Sequence, residues 1–278
     1  MKENSKKVIS ILGLGWLGLP LAETLAKDGY QVKGSVRSRD KALKLSSLSE
    51  LSLFVVNLAP RDEDIDQSFF DCDVLIIGIP PRVRRLGGTH HLEQVQGLLD
   101  RIGSQIKRVV YLSSTSVYPK VDGEYGEDFV LSLDPNNVLI EAENRLSRAL
   151  GDKLTILRLA GLMGYDRYPA KYYSEAKPVP NPDQRLNYVH RDDVIGVIRA
   201  LLAKNSFFPV LNVVAPEHPT RKEVVEANVK QLGLDPRPYG DHSEAPRERI
   251  ICSICISSQL GYVFRYTNPS SFFYSSEK

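Results

Sequence analysis

Apolar residues are grouped in short runs, and the stretches between them carry helical spacing. Val8-Ile9-Ser10-Ile11-Leu12 has strand length, and Leu21, Ala22 and Leu25 follow on one helical face. Asp28-Gly29 ends that helix, and residues 30–35 read as a second strand. A helix over 40–48 and a strand over 51–58 come next. Residues 73–79, DVLIIGI, are almost continuously apolar, as a strand covered on both faces must be, and Pro80-Pro81 stop it. The alternation continues with a helix over 92–102, a strand over 108–113, a helix over 141–150 and a strand over 154–159. A helix over 192–203 and a strand over 210–214 follow, then a helix running to Leu232. Thr220 opens that last helix, with Glu223 three residues on as a capping box. Strands alternating with helices predict βαβ units: an α/β fold with a doubly wound parallel sheet of about seven strands. Residues 165–185 and 216–278 break the rhythm and predict a small substrate-capping region. The expected division is therefore 1–164 plus 186–215 for the sheet domain, and 165–185 plus 216–278 for the cap.

The composition fits this picture without changing it. The 278 residues are 42% hydrophobic and 25% charged, ordinary values for a globular chain. A net charge of +2 gives no electrostatic case for nucleic acid or a membrane surface as partner. No apolar run approaches the roughly 18 residues of a membrane helix, and MKENSKK reads as a polar tail and not a signal peptide. Three cysteines, an odd number, fit a reducing cytoplasm. Cys252 and Cys255 form a C-x-x-C inside the apolar run 250–256, which reads as a buried strand, so no metal is expected. His90-His91 read as surface residues.

Chemistry enters at the first turn. Gly13-Leu14-Gly15-Trp16-Leu17-Gly18 joins the first strand to the first helix, which is the setting a dinucleotide fingerprint requires. Gly13 takes the tight turn, Gly15 admits a pyrophosphate and Gly18 lets the helix lie close to the strand. The helix N-terminus, entered through Trp16 and Leu17, offers free N–H groups to phosphate. The sheet is thus expected to be of the Rossmann type. The tip of the second strand, Ser35-Val36-Arg37-Ser38-Arg39, has no acid for a ribose 2′-hydroxyl; Arg37, helped by Ser38 or Arg39, suits a 2′-phosphate. NADP is therefore preferred and NAD remains possible. Ser38 also reads simply as a helix cap. Leu58, Gly78, Pro80 and Ser113, near the carboxyl ends of later strands, complete the expected cofactor contacts. Arg82, Arg84 and Arg85 follow Pro81 and suit an anion or plain solvation equally.

The fifth strand ends in Ser113-Ser114-Thr115-Ser116-Val117-Tyr118. With GLGWLG, with LRLAGLMG over 157–164 and with NYVHRDDV over 187–194, this stretch resembles the extended short-chain dehydrogenase/reductase superfamily of epimerase/dehydratase type. The resemblance spans nearly the whole chain. It implies a carbonyl or nucleotide-sugar-like substrate, with Arg167, Tyr168 and Asn187 facing it. His190 is read as structural and Asp193 as a first-turn helix carboxylate. Ser114 matches the superfamily's Ser/Thr, four residues before Tyr118. The usual Tyr-x-x-x-Lys is missing: aligned on Glu141-Ala142-Glu143, Pro135 and Leu139 stand at its positions, and neither exchanges a proton.

Two functions compete. One is an NADP-dependent reductase, epimerase or dehydratase with a non-standard site, using Ser114, Thr115 and Tyr118, with Tyr125 in a loop over the substrate. The other is a non-catalytic NADP(H)-binding sensor. A 3-hydroxyacid dehydrogenase with an all-helical second domain is disfavoured by the non-helical tail and by NYVHRDDV. The chain is expected to be a monomer or a homodimer.

Overall fold

The computed structural model describes residues 6–46, 51–58, 65–81, 83–132, 134, 136–204, 207–240 and 248–275. The elements are β1 (Val8–Leu12), α1 (Gly18–Lys27), β2 (Gln31–Val36), α2 (Arg39–Leu45), β3 (Leu51–Val55), β4 (Val74–Ile77) and α3 (Val83–Leu99). They continue with β5 (Arg108–Ser114), β6 (Gly123–Tyr125), α4 (Val138–Leu150), β7 (Leu154–Leu159), β8 (Gly161–Met163) and β9 (Tyr188–His190). The series ends with α5 (Arg191–Ala203), β10 (Val210–Val213), α6 (Arg221–Leu232) and β11 (Arg249–Ile251). The expected parallel α/β sheet is present, with strand order β10-β7-β5-β4-β1-β2-β3. Two short pairs, β11 with β6 and β8 with β9, stand outside it.

The chain forms two compact units. The first comprises Met1–Ser113, Leu131–Leu157 and Phe207–Val210; the second comprises Ser114–Val130, Arg158–Ser206 and Leu211–Lys278.

In the first unit, β4 is buried at every position, which explains its unbroken apolar sequence. Leu75 and Ile77 pack with Val109, Tyr111, Val95, Leu98, Ala142 and Leu146 in one cluster, so α3 and α4 are held on that face of the sheet. α3 starts earlier than the apolar pattern indicates and is broken at Gly87, whose φ is +78°. Its inward stripe is His91, Gln94, Val95 and Leu98, all buried. His91 is therefore not a surface residue; its Nε2 lies 3.0 Å from the Tyr111 hydroxyl.

In the second unit, polar side chains do much of the work of main chain. Asp193 is fully buried on α5 and accepts from the Tyr262 hydroxyl (2.8 Å), Arg265 N–H (2.7 Å) and Tyr266 N–H (3.0 Å), fixing the returning chain. His190, also buried, caps α5 by accepting from Asp192 N–H at its Nδ1. Thr220 and Glu223 form the expected capping box on α6. The run 250–256 is not one buried strand. β11 stops at Ile251, where Cys252 N–H turns to the Tyr125 carbonyl, and both Cys252 and Cys255 are half-buried. Burial raises both thiols above their ordinary range.

Burial pushes the His91 pKa down to about 4, below its ordinary value of 6.5. As pH falls below 6.5 the unfolded chain takes up a proton that the folded chain refuses. Stability is therefore lost between pH 6.5 and about 4, by up to about 3 kcal/mol from this group. Urea unfolding at pH 7.5 and 4.5 should show a loss smaller by about 2.5 kcal/mol in His91→Gln than in the parent. An identical pH dependence in both would place His91 outside the titrating core.

Candidate functional site

The first unit carries the glycine turn. Gly13 has φ +107°, and a Cβ there would meet the Gly78 carbonyl oxygen at 3.0 Å. A Cβ on Gly18 would sit inside the Gly13 carbonyl oxygen, so α1 lies against β1 only because that side chain is absent. Gly15 is different: a Cβ there meets nothing within 4 Å, and the residue is exposed. The turn is pinned from β2, where Gly13 N–H donates to Ser35 Oγ at 3.0 Å and Leu14 N–H donates to the Ser35 carbonyl at 2.8 Å. From α2, Lys41 Nζ donates to the Leu14 carbonyl at 2.7 Å. Leu17 stands at the N-cap of α1 with no side-chain cap, and the first turn carries no acid. This uncapped end and the open face at Gly15 fit a pyrophosphate: main-chain N–H groups and the helix dipole remain to meet its charge.

The other residues expected around a cofactor lie in the same unit, with differing availability. Arg37 is exposed just beyond β2. Ser38 caps α2, accepting from Lys41 N–H at 3.4 Å. Trp16 is half-buried and Pro80 exposed. Leu58 is buried in the core, so only its main chain is free to serve a ligand. Ser113, also buried, donates to Glu143 Oε1 at 2.5 Å across to α4. Arg82 lies outside the described residues, as does Pro135; Leu139 is buried on α4.

The second unit carries a cavity of about 360 Å³. Ser114, Thr115 and Ser116 line it at the end of β5, and Asn187 lines it from β9's approach. Four cations, Lys120, Arg185, Arg221 and Arg249, also line it, with no carboxylate among the described lining residues. Ser114 Oγ accepts from Ser116 N–H at 3.2 Å, which leaves its proton to donate. Asn187 Nδ2 donates to the Arg249 carbonyl (2.9 Å) and its Oδ1 accepts from Ile251 N–H (2.8 Å), acting as a short strand beside β11. Burial lowers the Arg249 pKa from its ordinary value.

None of the three tyrosines read as site residues, Tyr118, Tyr125 and Tyr168, is among the described residues that line the cavity. Tyr118 is only 2% exposed. Its hydroxyl donates to Asn212 Oδ1 (2.8 Å) and lies 2.9 Å from the Gly126 carbonyl, and it accepts from Arg158 Nη1 (2.9 Å). Burial raises its pKa above the ordinary phenol value. Such a phenol is tied into the fold by three partners. Tyr125 packs on Tyr118 and Phe129, with its hydroxyl on the Val121 carbonyl at 3.3 Å. Tyr168 is packed with Ala170 and Val225 on one side and Tyr274 on the other, and neither it nor Arg167 lines the cavity. Gln184, Arg185, Arg221, Arg249 and Lys120 were not singled out by sequence, sharing no local motif, and Tyr188 entered only as part of NYVHRDDV.

Sheet order, glycine turn and uncapped α1 together define a Rossmann fold of the dinucleotide-binding kind. The NAD(P)H-binding family model matches residues 13–205, and the chain belongs to that family. It is 34% identical to Protein YeeZ of Escherichia coli (strain K12), over 95% of this chain and 97% of that protein. Among solved structures it is similar to UDP-glucuronic acid 4-epimerase from Bacillus cereus in complex with NAD, with TM-score 0.77, 20% identity and 95% of each chain covered. It is also similar to vestitone reductase from alfalfa (Medicago sativa), with TM-score 0.73, 17% identity and 96% of each chain covered. At these identities the likeness is one of fold. No helix among the described residues is long and apolar enough to cross a membrane.

Gly15→Ala separates structure from binding. Its Cβ has space in the protein but enters the face where a pyrophosphate is expected. The melting temperature should stay within a few degrees while NAD(P)H fluorescence titration shows at least a tenfold loss of affinity. Unchanged affinity would remove the dinucleotide from this turn.

Proposed function

We propose that the protein is an NADP(H)-dependent oxidoreductase-type protein that acts on a carbonyl compound through a site built of hydroxyls and cations in place of a Tyr-Lys pair. The observation that carries this reading is the cavity at the end of β5, where Ser114 offers a free O–H among lining cations. Preference for NADP over NAD rests on exposed Arg37 at the tip of β2 and on the absence of an acid before Asp40.

The nicotinamide, when bound, supplies or accepts a hydride. The chain's own groups do the rest. Ser114 donates a hydrogen bond to the carbonyl oxygen and steers it. Lys120 and the arginines lower the energy of the charge that grows on that oxygen. The oxygen takes its proton through Ser114, whose own proton is replaced from water; the buried Tyr118 has no part in the transfer. The Ser116 N–H holds Ser114 Oγ in place.

The non-catalytic sensor remains the second reading, and burial of the Tyr118 and Tyr125 phenols favours it. An NADPH-oxidation screen across aldehydes, ketones, sugar phosphates and nucleotide sugars decides between the two. Turnover lost at least a hundredfold in Ser114→Ala, with the NADPH constant intact, is the expected outcome. Full binding with no turnover on any substrate would leave the sensor.

Cofactor choice has its own test. Arg37→Ala should weaken NADPH by about 10- to 100-fold, the value of a charge-assisted contact, and leave NADH unchanged. Equal losses for both cofactors would take the 2′-phosphate away from Arg37.

A further inference from the structure

One aromatic side chain lines the second unit's cavity, that of Tyr188. It opens β9 opposite Gly161 of β8, and both residues line the cavity together with Ser114. A Cβ on Gly161 would overlap the Tyr188 ring, so the ring lies over that glycine because no side chain stands there. The main chain is fixed as well. The Tyr188 carbonyl accepts from Ala215 N–H at 2.8 Å, and the preceding Asn187 carbonyl accepts from Gly161 N–H at 3.0 Å. On its other contacts the ring packs against the cluster of Ala215, Phe272 and Tyr274. A tyrosine has few torsions to fix, and close packing on this scale fixes them. The fold therefore sets where the hydroxyl stands.

That hydroxyl differs from those of the other phenols in this unit. Tyr118 donates to Asn212, Tyr165 to Asp192 and Tyr262 to Asp193, each at 2.8 Å. The Tyr188 hydroxyl has no hydrogen-bond partner among the described residues. Nor is it one of the sealed polar atoms without a partner, as Asn228 Nδ2 is, so it keeps open surface. Arg221, which also lines the cavity, is near enough to pull on this phenol. Burial outweighs that pull and raises the pKa above the ordinary phenol value, so the proton stays in place at neutral pH. A half-buried donor left unpaired costs free energy until water or a ligand meets it.

We propose that Tyr188 is a ligand contact: its hydroxyl donates a hydrogen bond to a second oxygen of the bound compound, so that the cavity selects carbonyl compounds carrying a hydroxyl over unsubstituted ones. The reacting carbonyl at Ser114 rests on the reading given under Proposed function; the Tyr188 contact rests on the phenol and the cavity alone. A site built to meet a substrate hydroxyl rejects the analogue lacking it, because its own donor is then left unpaired. Tyr188 acts on the choice and placement of the substrate, and proton transfer stays with Ser114.

Tyr188→Phe removes one oxygen and keeps the ring over Gly161, so the melting temperature should be unchanged. In NADPH oxidation, the ratio of kcat/KM for glyceraldehyde to kcat/KM for propanal should fall about three- to tenfold, the value of one neutral hydrogen bond. A loss of packing alone would lower both together and leave the ratio as it was. Binding is read separately by NMR of the full chain isotope-labelled at tyrosine Cζ, where the Tyr188 signal is the one missing from Tyr188→Phe. With or without NADPH, that signal should move on adding glyceraldehyde and stay still on adding propanal. A shift without any NADPH turnover would uphold the contact and remove the redox reading. Turnover that depends on Ser114, with the same substrate ratio in Tyr188→Phe as in the parent, would overturn the contact and leave that reading. A Tyr188 signal that ignores glyceraldehyde, or that moves equally with propanal, overturns the contact as well.

Discussion

The first unit depends on one close approach. Helix α1 meets strand β1 where Gly18 has no side chain, and the Gly13 carbonyl fills the space a Cβ would need. Gly13 can turn there because its φ of +107° is open to glycine, and the main chain of Gly78 crowds its other side. The carboxyl ends of β1 and β4 are thus held together, and Ser35 ties in β2 through Gly13 and Leu14. Three strand ends converge under an uncapped helix N-terminus. None of this comes from apolar burial. The geometry is set by main chain at contact distance, and burial behind it, in Leu12, Leu75 and Ile77, keeps the contact in place.

The second unit answers a different problem. Its strands are only three or four residues long, so main-chain ladders cannot hold it. Side chains substitute for them. Asp193 gathers two N–H groups and a phenol, Asn187 doubles as a strand edge for β11, and Arg249 staples the Ser114–Lys120 loop. A buried carboxylate is tolerable because its lone pairs are met by several donors. The same logic holds Tyr118: Asn212, Arg158 and the Gly126 carbonyl surround its hydroxyl.

The half of the fold with strong periodicity was legible in the sequence. β1 and β7 fall where the apolar runs place them, and α1, α5 and α6 follow their spacing and caps. α3 shows the limit. Its buried stripe includes His91 and Gln94, so a hydrophobicity pattern sees only Val95 and Leu98 and takes the neighbouring histidines for surface. The run 250–256 misleads in the opposite sense: it is apolar but for Ser253, whose Oγ bonds the Val214 carbonyl where the chain has left the strand. Local motifs located the glycine turn and Ser114. They could not locate the lining cations, because residues 120, 185, 221 and 249 meet only through tertiary pairing.

The missing Tyr-Lys pair bears on what chemistry is left. Leu139 stands at the lysine position, and it is buried on α4 beside Ile140 and Ala142. An ammonium there would lose its hydration with no carboxylate partner on that face other than Glu143, which is already bonded to Ser113. The position is thus built into the apolar packing of α4, and restoring a single lysine would destabilise the helix before it restored a reaction. Hydride transfer to a carbonyl needs the oxygen polarised; a tuned phenol is one way to do it, and fixed cations with a hydroxyl are another. In the proposed reading an alcohol, a far weaker acid than a lysine-tuned tyrosine, leaves the cations to carry more of the barrier.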